Sequence, residues 1–357
     1  MKTIPAVLTC FGLTVAILAG QSTPPPSGAL YGADSNYKVP RTADGHPDLQ
    51  GVWSNNSVTP MTRPPQWKGR DAITEAELKE LQQLVARSQK ESGDAIFQNV
   101  VQLALDSKDK GKFDQSSYDR TTGNYNQFWM ADHDWDTRTS LVIDPPDGQF
   151  PPFTPEGQAR LAALLKQGNP EADYTSQFNG PEDLPLTERC LTYGAPRTGA
   201  GYNSYLQIVQ SADVVVLQQE MIHDSRIVRT DRQLPHLPAS VRQLHGDPRG
   251  WWDGDTLVVE TTNYSSGIMM MGASPDVRIT ERYTRVSADF INWVITVDDA
   301  RTWTRPWTFM IRLKRSNDLI YEYACHEGNY AMTGILAGAR AQEKKAGAKG
   351  TTVKQPK

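Results

Sequence analysis

Past Gly20 the chain has no apolar run of the roughly 20 residues that a membrane-spanning helix needs, so no span is expected in the body of the protein. It also lacks an excess of charge of one sign: 37 basic against 41 acidic side chains leave a net charge of −4. A dedicated nucleic-acid binder carries a basic face, so no nucleic-acid partner is expected. Cysteine is scarce, with three in 357 residues and no Cys-x-x-Cys pair, which excludes a structural zinc module. There is no Gly-x-Ser-x-Gly, no Gly-rich phosphate loop ending in Gly-Lys-Ser/Thr, and no Gly-x-Gly-x-x-Gly opening a helix. Elbow-type serine hydrolases, P-loop enzymes and dinucleotide enzymes are thereby set aside, and no cofactor is expected.

What is present begins with a secretory-signal layout. Lys2 supplies a positive start, Pro5 to Gly20 is apolar or small, and a polar Ser/Thr/Pro-rich stretch follows Gln21. Residues 1–20 are therefore expected to be cleaved, leaving a periplasmic or secreted protein. Gln21 stands where a lipoprotein needs Cys, which argues against lipidation. Cys10 leaves with the signal. Cys190 and Cys325 remain in an oxidising compartment, where a pair most simply forms one disulfide; two buried thiols or a nucleophilic Cys are the alternatives.

Residues 21–70 are rich in Pro, Gly, Ser and Asn and read as an irregular lead-in, with one strand at Gly51-Val52-Trp53. Residues 71–170 read as a helical segment or lid on the main body. Thr74 and Glu77 form a capping box, and Leu78, Leu81, Leu84 and Val85 repeat at helical spacing. A second helix is expected over about 95–105, and a third with Thr154 as cap and Pro155 first. The polar and aromatic stretch between them, with Tyr125, Phe128, Trp129 and Trp135, reads as an ordered loop.

Residues 171–340 read as an antiparallel β domain. Short β-rich runs alternate with turns: 205–210, 213–223, 256–262, 277–287, 290–297, 307–315 and 319–325. No long helix separates them, so a parallel α/β sheet is not expected. The fold class is mainly β: an antiparallel meander closed as a lipocalin-like barrel or folded as a sandwich, with N-terminal helical segments and a C-terminal helix from near Tyr330. Residues 341–357, rich in Lys, Gly and Ala, read as a disordered tail.

Alternation assigns the buried face. Ile291, Trp293, Ile295 and Val297 share one side of a strand; Trp307, Phe309, Ile311 and Leu313 share one side of the next. Val277, Ile279, Glu281 and Tyr283 fall in line, as do Val215, Leu217, Gln219, Met221 and His223. Glu281 and His223 are thus polar groups on apolar faces. Each is either chemical, or satisfied internally: Glu281 by an inward Arg, His223 by a backbone carbonyl.

Four strings, Glu220–Ile227, Gly246–Asn263, Thr302–Trp307 and Tyr321–Tyr330, resemble a family of secreted proteins of environmental bacteria, as does Pro47–Trp53. The resemblance implies a shared fold and carries over no catalytic residues. Gly51-Val52-Trp53 is also similar to the Gly-x-Trp entry of lipocalin-type barrels, which bind apolar small molecules. In the secreted family a hydrophobic residue often stands at the position of His245, so the resemblance implies a lower standing for that histidine as a catalyst.

His223, followed by Asp224 and Arg226, is the leading candidate for a general base or acid, since a nearby carboxylate can hold an imidazole in one tautomer. His326 beside Glu327, next to Cys325, is the second. His46 and His236 sit in polar turns and read as surface residues. His133 lies in an acidic run, Asp132 to Asp136, that reads as a solvated loop or a metal-binding cluster. Zinc held by His223, His245, His326 and a Glu is a further possibility, without a supporting spacing. Arg226 and Arg305 are expected to hold an anion, with Trp251, Trp293 and Trp307 lining an aromatic site.

The expected function is an exported, cofactor-independent lyase, isomerase or hydrolase acting on a small aromatic or apolar molecule, aryl-ether cleavage being one example. His223, Asp224, Glu281, His326 and Glu327 would carry the acid–base chemistry. A non-catalytic small-molecule binder and a metal-dependent enzyme are the alternatives.

Overall fold

The computed structural model describes residues 31–34, 36–92, 100–110, 132–167, 178–265 and 272–350. The expected signal, the aromatic residues Tyr125, Phe128 and Trp129, and residues 351–357 lie outside the described residues.

The elements are β1 (Gly51–Ser54), α1 (Glu75–Ser92), α2 (Val100–Lys110), β2 (Val142–Asp144), α3 (Pro155–Gln167), β3 (Tyr205–Gln210), β4 (Val214–Gln219), β5 (Ser225–Arg229), β6 (Asp247–Asp253), β7 (Thr256–Thr262), β8 (Arg278–Arg285), β9 (Phe290–Asp298), β10 (Trp307–Ser316) and α4 (Tyr330–Gly350). Strands β1 and β3 to β10 follow one another round a sheet, and β10 pairs back onto β1, so the sheet closes as a nine-stranded barrel and is not a sandwich. β2 adds beside the other half of β10. Every join is antiparallel except β5 to β6, which run parallel and share one bridging pair, Arg229 and Arg249.

The alternation places side chains as the sequence implies. Ile291, Trp293, Ile295, Val297, Trp307, Phe309, Ile311 and Leu313 are all buried. Trp53, Tyr283 and Leu217 join them in one core, which large side chains fill. Burial of each such side chain contributes about 1.5–3 kcal/mol.

Three strands were not legible, β2, β5 and β6, and one expected strand does not form. Residues 319–325 carry Leu319 and Tyr321 at 82% and 74% exposure. β10, from which this stretch leads, is already paired to β9 on one side and to β1 and β2 on the other, so it offers no edge to a following strand.

The helical segment is two units. α1 and α2 bury Leu81, Val85, Val101 and Ala104 with Trp67 and Ile73 in a second core. The capping box forms: Thr74 N–H donates to Glu77 Oε2 (2.8 Å), and Glu77 N–H donates to Thr74 Oγ1 (3.2 Å). α3 is capped by Thr154 and docks elsewhere, Arg160 donating to Gly272 O (2.8 Å) and Thr302 Oγ1 (2.7 Å). α4 begins at Tyr330 as expected but continues to Gly350, into the stretch read as a disordered tail; its Ala, Lys, Gln, Glu and Arg are strong helix formers.

Candidate functional site

After β10 the chain becomes a strap, residues 319–329, tied down by the Cys190–Cys325 disulfide, whose Cα atoms are 5.7 Å apart. Backbone groups of the strap find polar partners beside the β4–β5 turn. Tyr321 N–H donates to Glu220 Oε1 (3.0 Å) and Tyr323 N–H to His223 Nδ1 (3.2 Å). The strap lines two clefts. The larger, about 820 Å³, is lined by Glu188, Tyr202, Tyr205, Glu220, Tyr321 and Tyr323. The smaller, about 630 Å³, is lined by His223, Asp224, Glu322, His326 and Glu327. The sequence candidates His223, Asp224, His326 and Glu327 are therefore brought together.

Their chemistry differs from expectation. His223 closes a short helical turn, Met221–His223, in which Ile222 and His223 both take left-handed backbone angles, φ 58° and 55°. A branched residue such as Ile rarely adopts this conformation, and such strain gathers at functional sites. The His223 ring does not bond a backbone carbonyl. Its Nδ1 accepts from the Tyr323 amide, so the neutral ring carries its proton on Nε2, which has no partner among the described residues. In that state His223 is a hydrogen-bond donor and not a base.

Asp224 does not orient His223. It is buried, and its Oδ2 accepts the Thr192 hydroxyl (2.6 Å) and lies 3.3 Å from His245 Nε2. His245 Nε2 is also 3.1 Å from Thr192 Oγ1. The Thr192 proton is committed to Asp224, so Nε2 of His245 is the protonated nitrogen and Nδ1 holds the free lone pair. This His–carboxylate pair was missed because the chain separates its members: Asp224 ends the β4–β5 turn, while His245 ends the loop before β6. No local spacing signals it.

Glu281 and Arg226 lie inside the barrel. Arg226 Nη1 and Nη2 both donate to the Glu281 carboxylate, the second at 2.9 Å; Tyr283 donates to Glu281 Oε2 at 2.6 Å and Trp293 Nε1 at 3.1 Å. Their side chains are 0–1% exposed, so neither faces the cleft, and Glu281 is satisfied by the inward Arg. Burial works against the Arg226 charge, but the Glu281 carboxylate outweighs it and raises the guanidinium pKa. Burial, then the Glu281 charge, pushes the Tyr283 phenol well up.

The expected aromatic site does not assemble either. Trp293 and Trp307 are core residues. Trp251 stacks under Arg232, and Arg305 pairs with exposed Asp144. His236, read as a surface residue, bridges Asp247 and Glu260 at 3.0 Å each. Among the described residues no three His, Cys, Asp or Glu side chains are placed to hold a metal ion, and no helix is long and apolar enough to cross a membrane.

Comparison with known proteins adds no further constraint: no protein-family model, no curated protein and no solved structure matches the chain.

Proposed function

We propose that this protein is an exported enzyme that transforms a small aromatic or apolar molecule by acid–base chemistry beside the strap, without a resident cofactor. The observation that carries the reading is the His245–Asp224–Thr192 cluster. Asp224, a carboxylate in the wall of the smaller cleft, and the Thr192 hydroxyl fix Nε2 of His245 and leave its Nδ1 lone pair unused, one residue behind a wall that also carries His223 and His326. In this reading His245 Nδ1 takes the proton, Asp224 stabilises the imidazolium that forms, and the His223 Nε2–H donates to the developing charge. The reaction class is lyase, isomerase or hydrolase, with aryl-ether cleavage among its members. The disulfide and the apolar leader at residues 5–20 support export.

A second reading, a small-molecule carrier, is favoured by the larger cleft, whose tyrosines and volume of about 820 Å³ suit an aromatic guest. One experiment separates the two. The purified protein is incubated with a pool of small aromatic ethers, esters and hydroxy acids, and bound and transformed species are followed by mass spectrometry. A product formed by the wild type and lost in His245→Gln supports the enzyme. Compounds retained unchanged by both proteins support the carrier.

A further inference from the structure

A third cavity, apart from both strap clefts, lies on the outer wall of the barrel. β9 contributes Phe290, β10 contributes Arg312 and Lys314, and residues 133–136 of the loop before β2 lie across them, enclosing about 130 Å³. That is room for roughly four water molecules.

Each charged side chain lining it has a partner except one. Lys314 Nζ stands 3.5 Å from Asp134 Oδ1, and Asp134 also accepts from Ser54. Asp136 is engaged by Arg138 at 2.7 Å. His133 is neutral near pH 7, since burial lowers its pKa against the pull of Asp132 and Asp134. Arg312 remains. It forms no hydrogen bond or ion pair among the described residues, and its Nε is buried without an acceptor.

The guanidinium is nonetheless held in place. Its carbon sits 3.6 Å from the Phe290 ring centroid and 5.7 Å from that of Tyr31. Gly32, at φ +68°, passes so close that a Cβ there would meet Arg312 Nη2 at 2.8 Å. Stacking fixes the plane of the fork while leaving its N–H edge without acceptors. A buried cationic donor left unpaired is costly, so an acceptor belongs in this cavity. Asn292, opposite Arg312 in the β9–β10 register, also has a buried side-chain oxygen without a partner, and it cannot neutralise the charge.

We infer that this cavity binds a small organic monocarboxylate, its two oxygens taken by the Arg312 fork and its flat body lodged against Trp135 and Phe290. One unpaired guanidinium matches one carboxylate, and planar bidentate pairing is the geometry arginine offers. Lys314 adds a weaker, exposed attraction.

The test is calorimetric titration of the protein with sodium benzoate, and separately with sulfate. Saturable one-to-one benzoate binding is expected, weakened about tenfold or more in Arg312→Gln and more modestly in Lys314→Gln. Arg278→Gln, on the exposed side of β8, is expected to bind as the wild type does. The Arg312 Nε–H resonance is expected to move on benzoate addition. Absence of saturable heat at millimolar benzoate overturns the inference, as does unchanged binding by a folded Arg312→Gln. Should that variant fail to fold, wild-type affinity in Lys314→Gln together with an unmoved Arg312 resonance overturns it. Tighter binding of sulfate than of benzoate overturns the carboxylate assignment.

Discussion

Asp224 pairs with His245 across 3.3 Å and not with His223, its neighbour in sequence. Asp224→Asn and His245→Gln are therefore expected to lower turnover of any substrate found by the mass-spectrometric screen by about 10²–10⁴-fold each. The double variant should lose little more than either single one, because the two act as a unit. Comparing kcat for the three variants checks this; additive losses would separate the residues.

The buried Arg226–Glu281 pair gives a stability prediction in which single and double changes do not add. Arg226→Met or Glu281→Leu alone leaves an uncompensated charge in the core and should cost about 3–5 kcal/mol. Made together they should cost distinctly less than the sum. Urea unfolding of the three variants reads the coupling.

Cys190 and Cys325 close a loop with a sequence separation of 135. The Cys190→Ser/Cys325→Ser protein should be less stable by about 2–5 kcal/mol. It should also be cut by protease within residues 319–329 sooner than the oxidised wild type. Mass mapping of early fragments locates the cut.

At the start of α1, Thr74→Ala should cost about 1 kcal/mol, read by urea denaturation. Glu77 is held down to about 2 from an ordinary 4.5, first by the Arg70 guanidinium and then by the Thr74 hydrogen bonds. A lowered carboxyl pKa adds stability that is present above the unfolded value of 4.5 and lost as pH falls toward 2. The Arg70–Glu77 pair is 41% and 37% exposed, so solvent screens much of that gain. A carboxyl NMR titration should place Glu77 well below the exposed glutamates.

His133 reverses the direction. Its folded-state pKa lies below 6.5, so on acidification the unfolded chain binds the proton first and stability declines below about pH 6.5. His133→Gln should lose less stability than the wild type between pH 7.5 and 5.5, again by urea midpoint.

The strands that could be read from the sequence were β1, from Gly51-Val52-Trp53, and those with apolar residues at every second position: β3, β4 and β7 to β10. β5 inverts that code. Ile227 is 64% exposed while Arg226 is buried, because the register opposite Leu217 turns the arginine inward to Glu281. β6 hides for another reason. Pro248 and Gly250 are poor strand formers, yet a Cβ at Gly250 would meet Val228 at 2.6 Å, so glycine is what lets β5 and β6 approach. The disulfide and the His223, Asp224, His326 and Glu327 grouping were within reach because they sit in or beside turns. His245 was not: its partner comes from a distant turn, and a tertiary contact of that kind has no sequence period.

In mechanical terms the barrel is a hoop laced all round with one soft joint. Between β5 and β6 a single bridging pair must part, where every other join must break a ladder. The loop before β6 acts as a clasp over that joint, Arg249 holding Pro235 and His236 holding Asp247 and Glu260. Thermal loosening therefore starts there, and water reaching the filled interior enters beside β5. The inward side chains of that strand are Arg226 and Val228, so the joint borders the buried charge of the hoop as well as its hydrocarbon.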